Sequence, residues 1–594
     1  MWTVDHVEWL RQSMTGKNAD LSPRDFYTKL DDQLEQLARE HPDRKKPVAR
    51  LLVEMLHLFY AYNVDVSATR TNRRLEFVYD ACEYTPQERQ MAESSPWITQ
   101  GIGRVGMAQV QLFDCLCFLM DLTTSLKQEN NQSEVEQMFL EAESGWRDFV
   151  RRIESLSEGR RDLMVYYTVP HLIYPDYIED SSTQGHRQRI VAAYDELLPK
   201  NSDDLNTDEK LWEIRSALVE QQLIDDPALS FYDEPLASGW GRIEGEDEAF
   251  SDMLAGLEFK QQIILYGPPG TSKSHDAKQL SRALIQRERI ASIGAVAYLK
   301  ERRIKAGNQS VDDIYTSYVH ELQMHPTFAY EDFIGGWQFR DGATKFIPGF
   351  LPRLVNRIND MNQASTDEGR KPIPHVLILD EINRVDLSRA MGEAFTLLDG
   401  RGNSVIIPAP SPETYEEEGY RLSLPENLYI IGTMNEIDQS LELVDYAMRR
   451  RFLWFECTYS PERLHQIIRH RWDNTDTTGR RQFSRVEAAF TDYVAACSLL
   501  NQRIRESPVL GRDYVIGQTV FGEIVYFVGK KLSATPQTST PIWTTKDEAA
   551  EPVQRLWDLS IRPLLKEYLR SADPDSRDRT VDELGATFLR RPVS

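Results

Sequence analysis

Residues 263–284 read IILYGPPGTSKSHDAKQLSRAL, and this segment determines the class of fold. A short apolar run leads into a loop rich in glycine and proline, and a helical pattern with Ala277, Leu280 and Leu284 on one face follows. A loop with little side-chain bulk lets successive backbone N–H groups point at phosphate oxygens, beside the positive end of the helix. The segment therefore predicts a phosphate cradle formed by Gly267, Pro268, Pro269, Gly270, Thr271, Ser272, Lys273 and Ser274.

The last residues of this loop have separate roles. Lys273 can reach the β- and γ-phosphates of a nucleoside triphosphate, and the Ser274 hydroxyl can bind Mg²⁺. Ser272 stands where the usual pattern has glycine, and serine is disfavoured there if the position needs a positive φ angle. We expect binding to survive this change, because the rest of the loop is intact. The alternative is a Gly-Pro turn before an ordinary surface helix.

A second buried strand is predicted for HVLILD (375–380), and the adjacent acids Asp380 and Glu381 stand at its end. We expect Asp380 to support Mg²⁺ and Glu381 to orient or deprotonate the attacking water. Alternatively, the two acids cap the helix predicted for DLSRAMGEAFTLL (386–398). A cap alone does not account for an apolar strand that ends in two acids after a phosphate loop.

A third strand is predicted for NLYIIGTMN (427–435), and it ends on Asn435. If this strand lies beside the one that ends at Asp380, the asparagine can help to hold the lytic water near the γ-phosphate. An asparagine that begins a turn is the alternative.

Three arginines, Arg449, Arg450 and Arg451, end the helical pattern that follows. A solvated helix face or a favourable interaction with the helix dipole is the ordinary explanation for such a run. In a ring of nucleoside triphosphatases, an arginine from the neighbouring subunit completes each site. We expect Arg450 or Arg451 to have that role.

The chain has 594 residues, which predicts roughly two to four domains. Residues 1–225 have mostly helical periodicity and form a predicted N-terminal domain for recognition of a target or partner. Short apolar runs alternate with helical patterns in residues 226–457, which predicts an α/β domain with a buried parallel sheet. Residues 458–594 return to helical patterns and form a predicted helical lid and C-terminal region.

Composition excludes some classes of protein. The net charge of −24 argues against a protein that coats nucleic acid with its whole surface, so any DNA contact needs a local patch or an assembly. The five cysteines include no Cys-x-x-Cys pair, which is typical of free thiols in a reducing compartment. No segment has the pattern of a signal peptide or a membrane span, and we expect a cytoplasmic protein.

Longer phrases resemble the McrB family, the AAA+ motor subunits of modification-dependent restriction systems. The resemblance covers about residues 255–570, and the phrases follow the order that the family has. They are MHPTFAYEDFIGGW (324–337), ILDEINRVDLSRAMGEAFTLLD (378–399), LPENLYIIGTMNEIDQSLELVDYAMRRRF (424–452), LLNQRIRESPVLGRDYVIGQTVF (499–521) and LWDLSIRPLLKEYL (556–569).

This resemblance implies an α/β AAA+ P-loop domain with a mostly helical N-terminal domain and a helical C-terminal lid. It also implies a homo-oligomeric ring, usually a hexamer, that hydrolyses GTP or ATP with Mg²⁺ and pairs with a McrC-like nuclease subunit. The N-terminal extension would choose the target, and DNA would be reached through the assembly. The positions that match the family's nucleotide site are Lys273, Ser274, Asp380, Glu381 and Asn435, and those that match its neighbouring phrases are Asn383, Arg384 and Asp438.

Three departures from the family phrases indicate a divergent branch, and the first of them is Ser272. Residues 435–439 read Asn-Glu-Ile-Asp-Gln, where the family usually has Asn-Thr-Ala-Asp-Arg, so Gln439 replaces a positive charge. Residues 517–521 read Gly-Gln-Thr-Val-Phe instead of Gly-His-Ser-Tyr-Phe, so Gln518 replaces a histidine. The choice of GTP or ATP and the partner therefore stay open.

Two other functions fit the same residues. A MoxR-like ATPase would remodel proteins rather than act on DNA, and a nucleotide-dependent scaffold would bind nucleotide only to determine its oligomeric state. Ser272 is the feature that favours the scaffold, and the Asp380–Glu381 pair argues against it. The sequence has no nuclease signature such as Asp…Glu-x-Lys on a strand, so we expect DNA cleavage to need a separate subunit.

Overall fold

The structure is a computed structural model. It describes residues 2–14, 26–60, 68–93, 108–127, 132–159, 162–181, 183–241, 248–306, 315–340, 343–408, 419–437, 446–475, 483, 486–534, 542–544 and 548–592. The chain forms two compact units. Unit 1 comprises Met1–Glu244 and Ile293–Asn308, and unit 2 comprises Gly245–Ser292 and Gln309–Ser594.

The described residues of unit 1 form helices joined by turns and contain no strand, in agreement with the predicted helical periodicity. Its helices, numbered along the chain, are α1 (Val4–Met14), α2 (Phe26–Glu40), α3 (Pro42–Tyr60), α4 (Ala68–Ala81), α5 (Pro86–Glu93), α6 (Ala108–Lys127), α7 (Gln132–Leu140), α8 (Ala142–Ser157), α9 (Val165–Ile173), α10 (Gln184–Ala193), α11 (Thr207–Glu220), α12 (Leu236–Gly239) and α15 (Ala295–Ala306). One apolar core runs from Val7 to Ile178 and is richest in α3 and α6.

The boundary of unit 1 differs from the predicted boundary at residue 225. Phe231 and Leu236 are fully buried, and Trp240 donates its indole N–H to the Phe231 carbonyl at 2.7 Å. The Tyr194 hydroxyl donates to the Leu236 carbonyl at 2.8 Å. These contacts make residues 226–241 part of the helical unit rather than the start of the α/β domain.

Unit 2 contains a parallel sheet of five strands in the order β2-β5-β8-β1-β9. These strands are β1 (Gln262–Gly267), β2 (Val319–Gln323), β5 (His375–Asp380), β8 (Leu428–Asn435) and β9 (Leu453–Glu456). The apolar runs predicted as strands lie in β1, β5 and β8, whose central residues are buried as expected for a sheet covered on both faces. The α/β fold with a parallel sheet is confirmed.

Two antiparallel hairpins lie outside this sheet. They consist of β3 (Gly335–Arg340) with β4 (Ala343–Pro348), and β6 (Ser404–Pro408) with β7 (Gly419–Ser423). Phe346 stacks on Tyr420 with ring centroids 4.4 Å apart, so aromatic contact joins one hairpin to the other. Residues 409–418, which include Glu416, Glu417 and Glu418, lie outside the described residues.

The helices of unit 2 surround the sheet and then form a separate C-terminal core. They are α13 (Glu248–Lys260), α14 (Lys273–Ile293), α16 (Tyr330–Phe333), α17 (Phe350–Asp367), α18 (Leu387–Met391), α19 (Tyr446–Arg451), α20 (Pro461–Thr475), α21 (Glu487–Glu506), α22 (Gln518–Phe521), α23 (Ile524–Ala534), α24 (Glu551–Leu556), α25 (Arg562–Tyr568) and α26 (Pro574–Phe588). Buried residues from Tyr459 to Phe588 pack into one cluster without the sheet. We call residues 458–592 the lid, in agreement with the predicted helical C-terminal region. Among the helices that the structure describes, none is long and apolar enough to cross a membrane.

His320 on β2, which is half-buried, and His375 at the start of β5, which is buried, form a pair at the opposite end of the sheet from Asp380 and Glu381. His320 Nε2 lies 3.2 Å from His375 Nδ1, and the ring planes are 10° apart. Burial lowers the pKa of both imidazoles to about 4, and for each the positive charge of Arg357 also lowers it. Both rings are therefore neutral in the folded protein near neutral pH.

This pair predicts that the protein loses stability as the pH falls from about 6.5 to about 4, because the unfolded histidines take up protons in that range and the folded ones do not. Above about pH 6.5 the two histidines are neutral in both the folded and the unfolded protein, so their contribution to the free energy of unfolding is constant. Denaturant unfolding at several pH values measures the effect. The double variant His320→Gln/His375→Gln should lose less stability over this range than the wild type. The exposed His470→Gln is the matched control, and a double variant with the wild-type pH dependence would contradict the assignment.

Candidate functional site

The predicted phosphate cradle lies between the end of β1 and the start of α14. Its backbone takes positive φ angles at Gly267 (142°), Gly270 (76°) and Ser272 (71°). A Cβ atom on Gly267 would lie 2.4 Å from the Cys457 carbonyl oxygen, so only glycine fits there. Ser272 does adopt the conformation that disfavours serine, at a cost of about 1–2 kcal/mol relative to ordinary backbone.

Lys273 is buried at the start of α14, and its ammonium group bonds to backbone carbonyls. Nζ donates to the Gly267 oxygen at 3.0 Å and to the Pro268 oxygen at 2.7 Å. Burial lowers the pKa of Lys273 to about 8, because a charged group loses hydration there. The carbonyls are neutral, and a phosphate anion in the cradle would supply the negative charge that pairs with the Lys273 ammonium group. The site therefore fits a triphosphate.

The predicted magnesium ligands Ser274 and Asp380 are in contact. Ser274 Oγ donates to Asp380 Oδ1 at 3.0 Å, and the Thr433 hydroxyl also donates to that oxygen. The described residues contain no cluster of three or more side chains that would bind a metal by themselves. One carboxylate and one hydroxyl suit Mg²⁺, which usually completes its shell with phosphate oxygens and water.

Glu381 follows β5 in a left-handed conformation, with φ at 58°. Its carboxylate accepts a hydrogen bond from Gln323 at 3.1 Å and one from Arg384 at 2.9 Å. Its own N–H donates to the Thr433 hydroxyl at 3.2 Å. The carboxylate is therefore held in place from both sides.

The proposed capping role for Asp380 and Glu381 does not match the structure. The cap of α18 is Asp386, whose side chain accepts from the Arg389 N–H at 3.0 Å. The alternative of a helix cap for the two acids therefore loses its support.

Asn435 ends β8, which lies between β1 and β5 and pairs with both. In the register of β1 and β8, Asn435 is opposite Gly267 at the start of the cradle. The Asn383 amide donates to the Asn435 carbonyl at 2.8 Å and joins the segment after β5 to this strand end. Asp438 and Gln439 lie outside the described residues.

The structure separates the two arginines considered for action on a neighbouring subunit. Arg451 is buried and donates from Nε and Nη2 to Asp399 of its own chain, at 2.9 and 2.6 Å. Its guanidinium carbon lies 4.4 Å from the centre of the Phe395 ring. Arg450 is exposed on α19. These contacts give Arg451 a structural role and leave Arg450 as the candidate for an intersubunit role.

Three groups at the site were not singled out as site residues in the sequence. Gln323 and Thr433 sit on β2 and β8, beside the acids after β5. Gln518 of the lid is fully buried and donates to the Thr271 carbonyl at 2.9 Å. Polar residues near the ends of strands are a signal for the first two. The third was noted only as a departure from the family phrase, and nothing in the local sequence indicates its partner, which is distant along the chain.

Comparison with known proteins agrees with this geometry. Residues 262–452 match the AAA domain (dynein-related subfamily). The chain is 30% identical to the type IV methyl-directed restriction enzyme EcoKMcrB subunit of Escherichia coli strain K12, over 56% of this chain and 59% of that protein. It is 25% identical to the type II restriction enzyme BsuMI component YdiS of Bacillus subtilis strain 168, over 34% of this chain and 62% of that protein. The chain thus spans about three fifths of the length of these two relatives.

Arg451→Ala is expected to lower the free energy of unfolding by about 1–3 kcal/mol, because hydrogen bonds to a charged partner are lost and a cavity forms beside Phe395. Arg450→Ala, at the next position and exposed, is the matched control and should unfold as the wild type does. Thermal and denaturant unfolding of the full chain measure both. Equal stability of the two variants would contradict the structural role of Arg451.

Proposed function

We propose that this chain, a divergent McrB-like AAA+ protein, is the nucleoside triphosphatase of a restriction system and hydrolyses GTP or ATP. The observation that carries the proposal is the buried ammonium group of Lys273, which donates to the Gly267 and Pro268 carbonyls and to the Thr271 hydroxyl in a loop whose N–H groups suit phosphates. The contact of Ser274 with Asp380 supports it, because it brings together two oxygen ligands beside that loop.

Binding of the triphosphate uses the cradle as an anion site. The loop N–H groups and the positive end of α14 receive the phosphate oxygens, and Lys273 neutralises the β- and γ-phosphates. Ser274 and Asp380 would hold Mg²⁺, which neutralises charge on the same phosphates when bound. Thr433 keeps Asp380 in position through its hydroxyl.

Hydrolysis needs a water molecule in line with the bond that breaks. The water oxygen bonds to the γ-phosphorus, the bond from that phosphorus to the bridging oxygen breaks, and the nucleoside diphosphate leaves. Glu381 orients the water and accepts its proton. Gln323 and Arg384 hold the Glu381 carboxylate, and Asn435 at the end of the neighbouring strand orients the water from the other side.

The exposed Arg450 would act on the site of a neighbouring subunit in a homo-oligomeric ring, which we propose to be a hexamer. An arginine supplied in this way stabilises charge in the transition state and raises the rate by roughly 10³–10⁵. Arg450 has the exposure that such a role requires, whereas Arg451 is occupied by Asp399.

The wider function follows from the relatives, both of which are named as parts of restriction enzymes. We propose that unit 1 recognises a target or partner, that DNA is contacted through the assembly, and that a McrC-like nuclease subunit cuts it in the cytoplasm. Nucleotide hydrolysis would drive translocation or license cleavage. The net charge of −24 favours DNA contact by a limited surface of the assembly.

The test of hydrolysis uses the purified full chain with Mg²⁺ and ATP or GTP, and it measures phosphate release and nucleotide binding separately. Lys273→Ala should lose binding. Glu381→Gln should keep binding and lose about 10²–10⁴ in turnover, the usual contribution of a general base. Unchanged turnover in Glu381→Gln would contradict the mechanism and favour a nucleotide-dependent scaffold.

A mixing experiment tests the intersubunit arginine. Arg450→Ala and Glu381→Gln should each be inactive alone, but a mixture should recover part of the activity, because some interfaces then combine an intact Glu381 with an intact Arg450. Arg449→Ala is the matched control, since Arg449 lies over the Trp454 ring of its own chain at 5.5 Å. Full activity of Arg450→Ala would contradict this role.

The restriction function is tested by adding methylated and unmethylated DNA. Stimulation of turnover by DNA and no cleavage by this chain alone are the expected results. Stimulation by a protein client and not by DNA would favour the MoxR-like function, and cleavage by this chain alone would contradict the need for a nuclease subunit.

A further inference from the structure

We infer that Gln518 of the lid is a positioning residue for the phosphate cradle, and that it holds the peptide between Thr271 and Ser272 in the orientation that binds phosphate. The inference rests on the proposed nucleotide binding and adds a residue that touches neither phosphate nor water in that scheme. Gln518 is fully buried at the first position of α22.

The lid and the cradle are in direct backbone contact at this point. A Cβ atom on Gly517 would lie 2.0 Å from the Gly270 carbonyl carbon, so no side chain fits between them. Thr519 donates to the Gly270 oxygen from its backbone N–H at 3.0 Å and from its hydroxyl at 2.9 Å. The turn formed by Gly517, Gln518 and Thr519 therefore follows the surface of the loop.

The Gln518 amide contacts Ser272, the residue with the strained backbone, and Thr271 before it. Its Nε2 donates to the Thr271 carbonyl at 2.9 Å and lies 3.5 Å from the Ser272 hydroxyl. The Thr271 carbonyl and the Ser272 N–H belong to one planar, trans peptide, in which the two groups point in opposite directions. A bond that fixes the carbonyl toward the lid thus fixes the N–H toward the other side of the loop, where it can reach phosphate.

Ser272 needs this support because its φ of 71° is unfavourable for any residue with a Cβ atom. Glycine would adopt the same conformation without this strain, whereas the strain of serine has to be offset by neighbouring contacts. Gln518 and Thr519 supply hydrogen bonds to the carbonyls of Thr271 and Gly270, the two residues that precede the strained one.

The amide oxygen of Gln518 indicates that this side chain is important for its N–H donor. Oε1 is buried and has no hydrogen-bond partner among the residues that the structure describes. An unsatisfied buried acceptor is destabilising, so an apolar side chain would pack here at lower cost. The bond from Nε2 to the loop is the evident compensation.

The experiment compares Gln518→Leu, Ser272→Gly and the double variant in the full chain, with fluorescent ATP and GTP analogues for binding and phosphate release for turnover. Gln518→Leu should weaken binding about fivefold, the equivalent of one hydrogen bond of about 1 kcal/mol. KM should rise, and kcat should stay within about twofold of the wild-type value, because the contacts of the cradle are alike in the ground and transition states.

In the Ser272→Gly background, Gln518→Leu should change binding by less than about twofold, because glycine adopts the positive φ without help. Gln502→Leu, on the exposed face of α21, is the matched control and should bind as the wild type does. If Gln518→Leu does not fold, Gln518→Met replaces it. Equal weakening in both backgrounds, or lower stability with unchanged binding, would overturn the inference.

Failure of the proposed function gives a different result. A wild-type chain that binds nucleotide but does not hydrolyse it leaves the binding comparison valid. A wild-type chain that binds neither nucleotide refutes the proposed function. The wild type, Gln518→Leu, Ser272→Gly and the double variant are then compared by thermal unfolding. Additive effects of the two substitutions on unfolding would overturn the coupling of Gln518 to Ser272 in that case, and non-additive effects would support it.

Discussion

The position of β8 between β1 and β5 is the constraint on which the rest of unit 2 depends. Parallel strands bring their carboxyl ends to one edge of a sheet, so hydrogen bonding of β8 to both neighbours places the cradle, the acids and Asn435 side by side. Thr433 can reach Asp380 only because their strands are adjacent. The link from Asn383 to the Asn435 carbonyl depends on the same adjacency.

The rigid sheet also allows strained backbone to persist beside it. Ser272 and Glu381 both have positive φ angles without being glycine, and both follow closely on the ends of buried strands. Such residues cost of order 1–3 kcal/mol each and persist where the surroundings determine their conformation. For Glu381 the surroundings are Gln323, Arg384 and Thr433, and for Ser272 they are the lid residues beginning at Gly517.

The lid thus contacts the proposed phosphate cradle and also forms a separate helical core. Besides the turn over the cradle, Arg463 on α20 donates to Asp276 on α14 at 2.6 Å. Asp276 lies one turn into the helix that begins at Lys273, and its carboxylate is almost entirely buried. Breaking a buried pair of this kind is costly, so the lid and the cradle helix are expected to keep their contact.

The sequence by itself determined the class of fold and indicated the main candidate residues of the site. IILY, HVLILD and NLYIIGTMN are apolar runs of the length of buried strands, and the loop and acids that follow them are local patterns that neighbouring residues specify. Only the tertiary structure distinguished the exposed Arg450 from the buried Arg451, because Asp399 and Phe395, the partners of Arg451, lie some fifty residues away. It alone showed that Gln518 reaches Thr271, and that residues 226–241 pack with unit 1. Periodicity records what each residue's neighbours in the chain require, whereas these contacts join residues that are brought together only when the strands and helices have packed.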